Sequence, residues 1–259
     1  MRQHQQGLPA GIEPPVPGAA ADSLGGRASG ATSDDTVSDE MIDRLLPACV
    51  VSHEEFTDSP GEAPFPGEED LIVNAVESRR REFITARRCA RRALTGLGLS
   101  AVPICPGPRR EPLWQDGVVG SITHCAGYRA AAVARADHLA SLGIDAEPDR
   151  PLPVEVEKAV TLPQERTMLD RLVAEAPGMH WDRLLFSAKE SVYKAWYPLT
   201  RRWLDFADAE LTVNPQAGSF RARILIDGGR LAGGAPLTEL TGRYLVMRDL
   251  VLTAVSVWR

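Results

Sequence analysis

Two carboxylates stand two residues apart at the end of a short apolar run, in the stretch SLGIDAEP. If this stretch is a β-strand, Asp145 and Glu147 point to the same face of it, because successive side chains alternate. Like charges this close repel each other and favour a counter-charge. A hard divalent cation with oxygen ligands would supply one. A solvated pair at a strand end explains the same spacing, so both interpretations stay open at this point.

A third carboxylate lies in a strongly helical segment further along the chain, LLFSAKESVYKAWYPL. Its apolar residues form one stripe, and Lys189, Glu190 and Lys194 fall away from that stripe. In one interpretation Glu190 joins Asp145 and Glu147 in a magnesium site, and the two lysines face phosphate groups of a ligand. The alternative is a solvated helix face with an ion pair between Glu190 and Lys194, which stabilises a helix by about 0.3–0.5 kcal/mol.

An earlier segment concentrates positive charge in a chain whose net charge is −6. A long helix is predicted over EEDLIVNAVESRRREFITARRCARRALTGLG, and Arg79 and Arg87 project the same way from it because they lie about two turns apart. Guanidinium groups bind phosphate oxygens bidentately, which favours a phosphate clamp. A solvated basic face paired with Glu77 and Glu82 is the alternative. Nucleic acid is less favoured, because no aromatic residues interleave with the basic run.

The pattern around these residues indicates a mixed α+β protein. The segment GSITHCAGYRAAAVARADHLASLGIDAE predicts three strands, with a turn signal at Ala126-Gly127. The segment VEVEKAVTLPQERTMLDRLVAEAP predicts a helix broken at Pro163, and the last third of the chain predicts β-structure. Residues 1–40 lack periodicity and large apolar side chains, so we predict a disordered tail there.

Several classes of function are excluded by what the sequence lacks. It contains no GxSxG elbow, HExxH helix or Walker loop, and Cys125 beside His124 is not a catalytic dyad by adjacency alone. The cysteines have no zinc-like spacing, no apolar run is long enough to cross a bilayer, and the N-terminus lacks a signal-peptide pattern. We therefore expect a reduced, cytoplasmic protein without a membrane segment, whose nucleophile comes from a substrate.

Three stretches, GSITHCAGYRAAAVA, GIDAEP and FSAKESVYKAW, resemble the phosphopantetheinyl transferases of the Sfp/EntD type. The likeness covers roughly residues 70–205, and the wording of ITHCAGYR looks most like the actinobacterial branch, which serves fatty-acid, polyketide and nonribosomal peptide synthases. The resemblance implies transfer of the phosphopantetheine arm of coenzyme A to a serine of an apo acyl or peptidyl carrier protein, with release of adenosine 3',5'-bisphosphate. We expect a monomer that binds no nucleic acid. A non-catalytic coenzyme A or carrier-protein-binding module of the same fold is the alternative function.

The resemblance also implies roles for individual residues. Asp145, Glu147 and Glu190 would hold Mg²⁺, or Mn²⁺, against the pyrophosphate of coenzyme A. Glu190 would also be the general base for the serine, and Lys194 would stabilise the leaving pyrophosphate oxygen. The residues expected to contact coenzyme A are Arg79, Arg87, Arg110, Thr123, His124, Asp145, Lys189 and Lys194.

The fold that the resemblance implies is a pseudo-dimer of two similar α+β halves, residues 41–140 and 141–259, with the active site in the cleft between them. Asp145 would stand near the junction of the halves. The chain departs from the family in one place. Many relatives carry Lys before the Pro of a GKP turn, whereas this chain has Glu111 there, and we expect Arg110 to supply the missing charge.

Overall fold

The structure, a computed structural model, describes residues 40–259. Residues 1–39 of the predicted tail lie outside the described residues. In this part of the chain two antiparallel β-sheets and four α-helices form a mixed α+β fold, which confirms the predicted class. The helices are α1 (Glu77–Gly96), α2 (Val154–Val160), α3 (Pro163–Glu175) and α4 (Trp181–Thr200). The strands are β1 (Val50–Glu55), β2 (Val118–Cys125), β3 (Tyr128–Arg135), β4 (Leu139–Pro148), β5 (Ala209–Asn214), β6 (Ser219–Ile224), β7 (Glu239–Met247) and β8 (Leu250–Trp258).

The first sheet has the strand order β1-β3-β2, and α1 packs against one of its faces. The central strand, β3, consists mainly of small apolar residues that alternate between two cores. Ala131 and Val133 pack with α1, whereas Ala130, Ala132 and Ala134 pack with residues of the second sheet. Because these side chains are short, α1 and the second sheet both approach β3 closely, and the interior stays densely packed.

The second sheet has the strand order β4-β8-β7-β6-β5, and α4 packs across β4 and β8. Along β4, Leu142, Ile144 and Ala146 point into the core shared with the first sheet. The alternate residues, including Asp145 and Glu147, therefore face α4. This confirms the prediction that the two carboxylates share one face of a strand.

Helix α4 carries the predicted apolar stripe: Leu185, Ala188, Val192, Ala195 and Trp196 are buried in the largest core, and Leu199 is partly buried against it. The predicted break at Pro163 is confirmed as well. Pro163 is the first residue of α3, a position where its missing N–H costs nothing. Within the described residues, neither α4 nor any other helix has the length and apolar character needed to cross a membrane.

The long basic helix begins later than predicted. Glu69–Leu71 forms a separate 3₁₀ turn, and α1 starts at Glu77 after Val76, whose backbone is extended. The side chain of Arg80 donates a hydrogen bond to the carbonyl of Ile72 at 3.1 Å, which holds this turn against the first turn of α1. The run of Ile, Val and Asn residues before Glu77 is a poor helix former, because β-branching and local hydrogen bonding favour other conformations.

A buried carboxylate holds the first described residues against the first sheet. Glu54 on β1 accepts hydrogen bonds from the backbone N–H groups of Met41 at 2.7 Å and Ile42 at 3.1 Å. It also accepts one from the hydroxyl of Tyr128 on β3 at 2.6 Å. Burial, together with the charge of Glu54, raises the pKa of Tyr128, so its hydroxyl remains protonated and able to donate.

Candidate active site

Asp145 lies near the end of β4, where β2, β4 and α4 meet. Its Oδ1 accepts hydrogen bonds from Lys194 Nζ at 2.7 Å and from the hydroxyl of Thr123 at 3.4 Å, and its Oδ2 accepts one from the hydroxyl of Ser187 at 2.8 Å. Lys194 Nζ also donates to the carbonyl of Ile144 at 3.0 Å. One cation and two hydroxyls therefore satisfy this buried carboxylate, as the burial of a charge requires.

Glu147 has a cationic partner of its own. Arg183 Nη1 donates to Glu147 Oε2 at 2.9 Å, and the same guanidinium donates to the carbonyls of Arg150 at 3.0 Å and Pro151 at 3.1 Å. The residues of α4 that face β4 recur every three or four positions, which places them on one side of the helix: Arg183, Ser187, Glu190 and Lys194.

Glu190 completes a set of three carboxylates that interact through Asp145. Burial, and after it the charge of Asp145, raises the pKa of Glu190 to about 7, against the opposing effect of Lys194. The same two causes raise the pKa of Glu147 to about 7, against Arg183 and Lys194. The site therefore holds more negative charge than its basic neighbours balance, a condition that favours a bound cation.

Oxygen donors of this kind are those that Mg²⁺ prefers, so the chemistry of the three side chains fits the predicted metal. Their arrangement is not yet that of a metal site, because among residues 40–259 no three His, Cys, Asp or Glu side chains are grouped so that they could hold an ion. Lys194 and Arg183 instead contact oxygens of Asp145 and Glu147. A metal bound here would take over contacts that these two basic side chains make.

A cationic cluster adjoins the carboxylates on the side of the first sheet. His124 Nε2 on β2 lies 3.4 Å from Arg79 Nη1 on α1. Burial, and after it the charges of Arg79, Lys194, Arg129 and Arg87, together lower the pKa of His124 to about 3. Charged residues from α1, β3 and α4 thus lie close enough to His124 on β2 to act on its protonation. Four basic side chains near a neutral imidazole attract an anion, and the carboxylate of Glu82, 4.0 Å from His124 Nδ1, lies among them.

The two predicted clamp arginines are held in different ways. Arg87 Nε donates to the carbonyl of Ile104 at 2.9 Å, and its guanidinium lies 3.5 Å from the centre of the Phe83 ring. Burial lowers the pKa of Arg87 to about 10, so it remains a cation at neutral pH. Arg79 is more exposed and donates to Glu82 Oε2 at 2.9 Å. Arg79 is therefore the more accessible of the two candidate phosphate ligands.

Other arginines of α1 belong to ion pairs with glutamates from elsewhere in the fold. Arg88 pairs with Glu55 and Glu62, and Arg91 Nη1 lies 2.8 Å from the buried carboxylate of Glu68. The alternative interpretation expected a solvated basic face paired with Glu77 and Glu82, whereas Arg88 and Arg91 are largely shielded from solvent. Their partners come from other elements than α1, which the sequence pattern did not indicate.

Lys189 does not face the carboxylates. Its Nζ is buried and lies 2.8 Å from each of three oxygens, which belong to the carbonyls of Val160 and Phe206 and to the carboxylate of Glu165. Burial lowers the pKa of Lys189, against the charge of Glu165. The prediction that Lys189 faces a phosphate is wrong, because a step of one residue turns the side chain by about 100° around the helix from Glu190.

The side chain of Thr123 also points inward. It is 2% exposed, and its hydroxyl accepts a hydrogen bond from the backbone N–H of Ala146 at 3.0 Å besides contacting Asp145. Ser121 does the same for the N–H of Ile144 at 3.0 Å. The predicted contact between the Thr123 hydroxyl and coenzyme A is therefore replaced by a contact that joins β2 to β4 and holds Asp145.

Arg110 lies on an exposed turn with a left-handed backbone, at φ 66°. Glu111, which stands where many relatives of the Sfp/EntD type carry Lys, pairs with Arg201 just after α4 at 2.6 Å. The guanidinium of Arg109 lies 5.5 Å from the ring centre of Trp203. The turn therefore presents basic side chains beside the C-terminal end of α4, and the role of Arg110 in binding coenzyme A stays a prediction.

Gly143 sets the distance between β4 and α4, and sequence reasoning did not single it out. A Cβ at this position would lie well inside contact distance of the carbonyl oxygen of Ser191 and 2.7 Å from the backbone nitrogen of Ala195. The two backbones approach too closely to admit any side chain. The available signal was a Gly inside an otherwise apolar strand pattern, directly before the Ile-Asp of GIDAE.

The family model described as the 4'-phosphopantetheinyl transferase N-terminal domain matches residues 67–134, and the one described as the 4'-phosphopantetheinyl transferase superfamily matches residues 141–239. The chain belongs to the 4'-phosphopantetheinyl transferase superfamily. The first match covers the basic helix and His124, and the second covers the three carboxylates and Lys194. The resemblance that the sequence motifs carried is thus confirmed.

Close relatives agree with this membership. The chain is 54% identical to 4'-phosphopantetheinyl transferase Svp of Streptomyces mobaraensis over 220 residues, which are 84% of this chain and 89% of that protein. It is 51% identical to PptT of Mycobacterium tuberculosis over 223 residues, 83% of this chain and 97% of that protein. It is 47% identical to Npt of Nocardia iowensis over 223 residues, which are 83% of this chain and 99% of that protein. The actinobacterial resemblance is confirmed, and the protein is an enzyme of this transferase class.

Proposed function

We propose that the protein transfers the 4'-phosphopantetheine arm of coenzyme A to a serine hydroxyl of an apo carrier protein. The serine oxygen forms a bond to the phosphorus that carries the pantetheine, and the bond from that phosphorus to the bridging oxygen breaks. Adenosine 3',5'-bisphosphate leaves with the bridging oxygen. The observation that carries the proposal is the cluster of Asp145, Glu147, Glu190 and Lys194 beside the cationic surroundings of His124.

Glu190 and Lys194 supply the two charges that this displacement needs. With a pKa of about 7, Glu190 is ionised in a large fraction of molecules at neutral pH and accepts the proton of the serine. Lys194 is a cation whose Nζ already lies 2.7 Å from Asp145 Oδ1, and it stabilises the negative charge that grows on the leaving oxygen.

The remaining residues bind the donor. Arg79, Arg87 and His124 contact the phosphates of the nucleotide, and Arg110 adds charge from its exposed turn. Asp145, Glu147 and Glu190 would hold Mg²⁺, or Mn²⁺, since their oxygen donors suit either ion. Such a metal neutralises charge on the pyrophosphate when bound.

We infer that the two sheets, each with one long helix packed on it, are the two α+β halves of a pseudo-dimer that divides near residue 140. Coenzyme A would occupy the cleft between the halves, where β2 and β4 meet, because ligands bind preferentially at such interfaces. The acceptors would be carrier proteins or carrier domains of fatty-acid, polyketide and nonribosomal peptide synthases. The protein would act in the cytoplasm as a monomer.

A direct assay tests this function. The full chain is mixed with coenzyme A, Mg²⁺ and an apo carrier protein, and the carrier is then weighed by intact-protein mass spectrometry. We expect the mass of one phosphopantetheine arm to be added, and no addition to a carrier whose acceptor serine is replaced by alanine or in the presence of a chelator. Binding of coenzyme A without any mass change on several carriers would contradict the proposal and favour the non-catalytic binding module.

A further inference from the structure

The ammonium of Lys189 has every one of its donors occupied inside the protein. Its three N–H groups meet the carbonyls of Val160 at the end of α2 and Phe206 before β5, and the carboxylate of Glu165 on α3, each at 2.8 Å. Three donors are all that a lysine ammonium has. Its side chain is 2% exposed, so neither a donor nor surface remains for a phosphate.

Glu165 is satisfied just as fully. Its Oε1 accepts a hydrogen bond from the backbone N–H of Leu211 on β5 at 2.7 Å, and its Oε2 accepts one from the N–H of Leu162 at 2.8 Å, besides the contact with Lys189. The side chain is 0% exposed. The pair therefore fastens α2, the start of α3 and the edge strand β5 to the middle of α4.

This fastening acts at the turn of α4 that carries Glu190. Lys189 and Glu190 are neighbours in sequence. The pair of Lys189 and Glu165 therefore fixes α4 on one side, while the carboxylate of Glu190 faces β4 on another. On the β4 side, Gly143 admits the backbone of α4 at Ser191, and Lys194 bonds to the carbonyl of Ile144. The helix is thus held on both sides within one turn of Glu190.

We propose that Lys189 is a positioning residue for the transfer reaction: with Glu165 it fixes the turn of α4 that presents Glu190, and it does not touch coenzyme A. The proposal rests on the proposed function of Glu190. Groups that hydrogen-bond to a metal ligand commonly change metal affinity or activity by 10–100-fold when removed, and we expect a similar loss from a group that fixes the ligand through the helix backbone. A pair that served stability alone would change the melting temperature and leave metal affinity and turnover of the folded protein unaltered.

The first test uses the fact that the chain has three lysines, Lys158, Lys189 and Lys194. The folded full-length protein is acetylated at low conversion with acetic anhydride, with and without coenzyme A, and each lysine is quantified by peptide mass spectrometry. The side chain of Lys158 is 63% exposed and that of Lys194 is 28% exposed. We expect Lys158 to react in both samples and Lys189 to react in neither. Reaction of Lys189 in the free protein and its protection by coenzyme A would overturn the proposal.

The second test compares Lys189→Met and Glu165→Gln with the surface control Lys158→Met. Mn²⁺ affinity is measured by calorimetry, and kcat and the KM for coenzyme A are measured at saturating metal. We expect both buried-site variants to lower metal affinity or kcat by about 10–100-fold, with the KM for coenzyme A changed less than about threefold and the control unchanged. Glu165→Gln keeps the size of the side chain, so it serves if Lys189→Met does not fold.

Two outcomes would contradict the proposal. A rise in the KM for coenzyme A with kcat unaltered would indicate that Lys189 binds a phosphate of coenzyme A. Loss of melting temperature with unaltered metal affinity and kcat would make the pair structural only. If the wild-type protein transferred nothing, the proposed function would fail, while the acetylation pattern and the metal titration would still test where Lys189 acts.

Discussion

The two sides of α4 hold charge in opposite ways. Towards α2 and α3, Lys189 and Glu165 are both buried, and every polar atom of the pair has a partner. Towards β4, the carboxylates of Asp145, Glu147 and Glu190 share Lys194 and Arg183, and the pKa values of both glutamates rise to about 7. One side of a single helix is matched in charge and the other carries an excess of negative charge.

This difference separates a role in structure from a role in chemistry. Breaking a matched buried pair exposes the protein to the cost of an unpaired buried charge. A mismatched cluster titrates near neutral pH and gains from binding a cation, which are properties of functional sites. Lys189 and Glu190 are neighbours in sequence, yet the helix repeat turns them towards different clusters. The type of a charged residue alone therefore does not show which of the two roles it has.

The largest expected effect comes from removing the ionisable carboxyl group of Glu190, on the side of α4 that faces β4. Glu190→Gln keeps the size of the side chain and one ligand oxygen but cannot accept a proton, so we expect kcat to fall by about 10²–10⁴-fold at saturating Mg²⁺. The matched control is Glu175→Gln at an exposed position on α3, which should be neutral. Recovery of wild-type kcat at high Mg²⁺ would make Glu190 a metal ligand and not a base.

Moving α4 away from β4 should damage the mismatched side as well. Gly143→Ala forces the two backbones apart, and overpacking of this kind lowers the free energy of unfolding by about 1–3 kcal/mol. We expect the Lys194 contacts to lengthen and transfer activity to fall with stability, as measured by urea denaturation and the carrier assay. Gly178→Ala is the control, because a Cβ there meets nothing within 4 Å. Equal behaviour of the two variants would show that α4 has room to shift.

The cationic cluster on the first sheet is expected to contribute to binding rather than to turnover. Hydrogen bonds to charged groups are worth about 1.5–3 kcal/mol, so Arg79→Ala and Arg87→Ala should raise the KM for coenzyme A by about 10–100-fold with a smaller change in kcat. With dephospho-coenzyme A as the donor, the rise in KM should be smaller if the contact is to the 3'-phosphate. Arg171→Ala, at an exposed site on α3, is the control. Equal losses with both donors would move the contact to the pyrophosphate.

Stability in the absence of metal is also expected to depend on Glu190. The folded-state pKa of Glu190, about 7, lies above its usual value of 4.5, so the associated stabilisation is present below pH 4.5 and is lost as the pH rises through 7. Metal-free Glu190→Gln should therefore gain stability relative to the wild type between about pH 5 and pH 7.5, and Mg²⁺ should remove the difference. A difference independent of pH would argue against the raised pKa.

Much of the site could be predicted from the sequence, because local periodicity governs it. Alternation along a strand placed Asp145 and Glu147 on one face, and the motif that follows brought in Glu190. The helix repeat turns Lys189 away from Glu190, but its partner could not be predicted, since Glu165 lies on another helix and no local pattern links the two. The hydroxyl of Thr123 was misjudged for a similar reason, because its partner at Ala146 depends on how β2 meets β4.

The carboxylate of Glu54, together with the buried side chains of Met41 and Ile42, limits how far the chain can be shortened from its N-terminus. A protein begun at Met41 would carry its new α-ammonium group at the very nitrogen that lies 2.7 Å from Glu54 Oε1, so the cut end would become one half of an ion pair. A protein begun at Asp43 would lose both backbone donors and leave Glu54 with the hydroxyl of Tyr128. We expect the first version to keep the melting temperature of the full chain and the second to lose several degrees, although the two differ by only two residues.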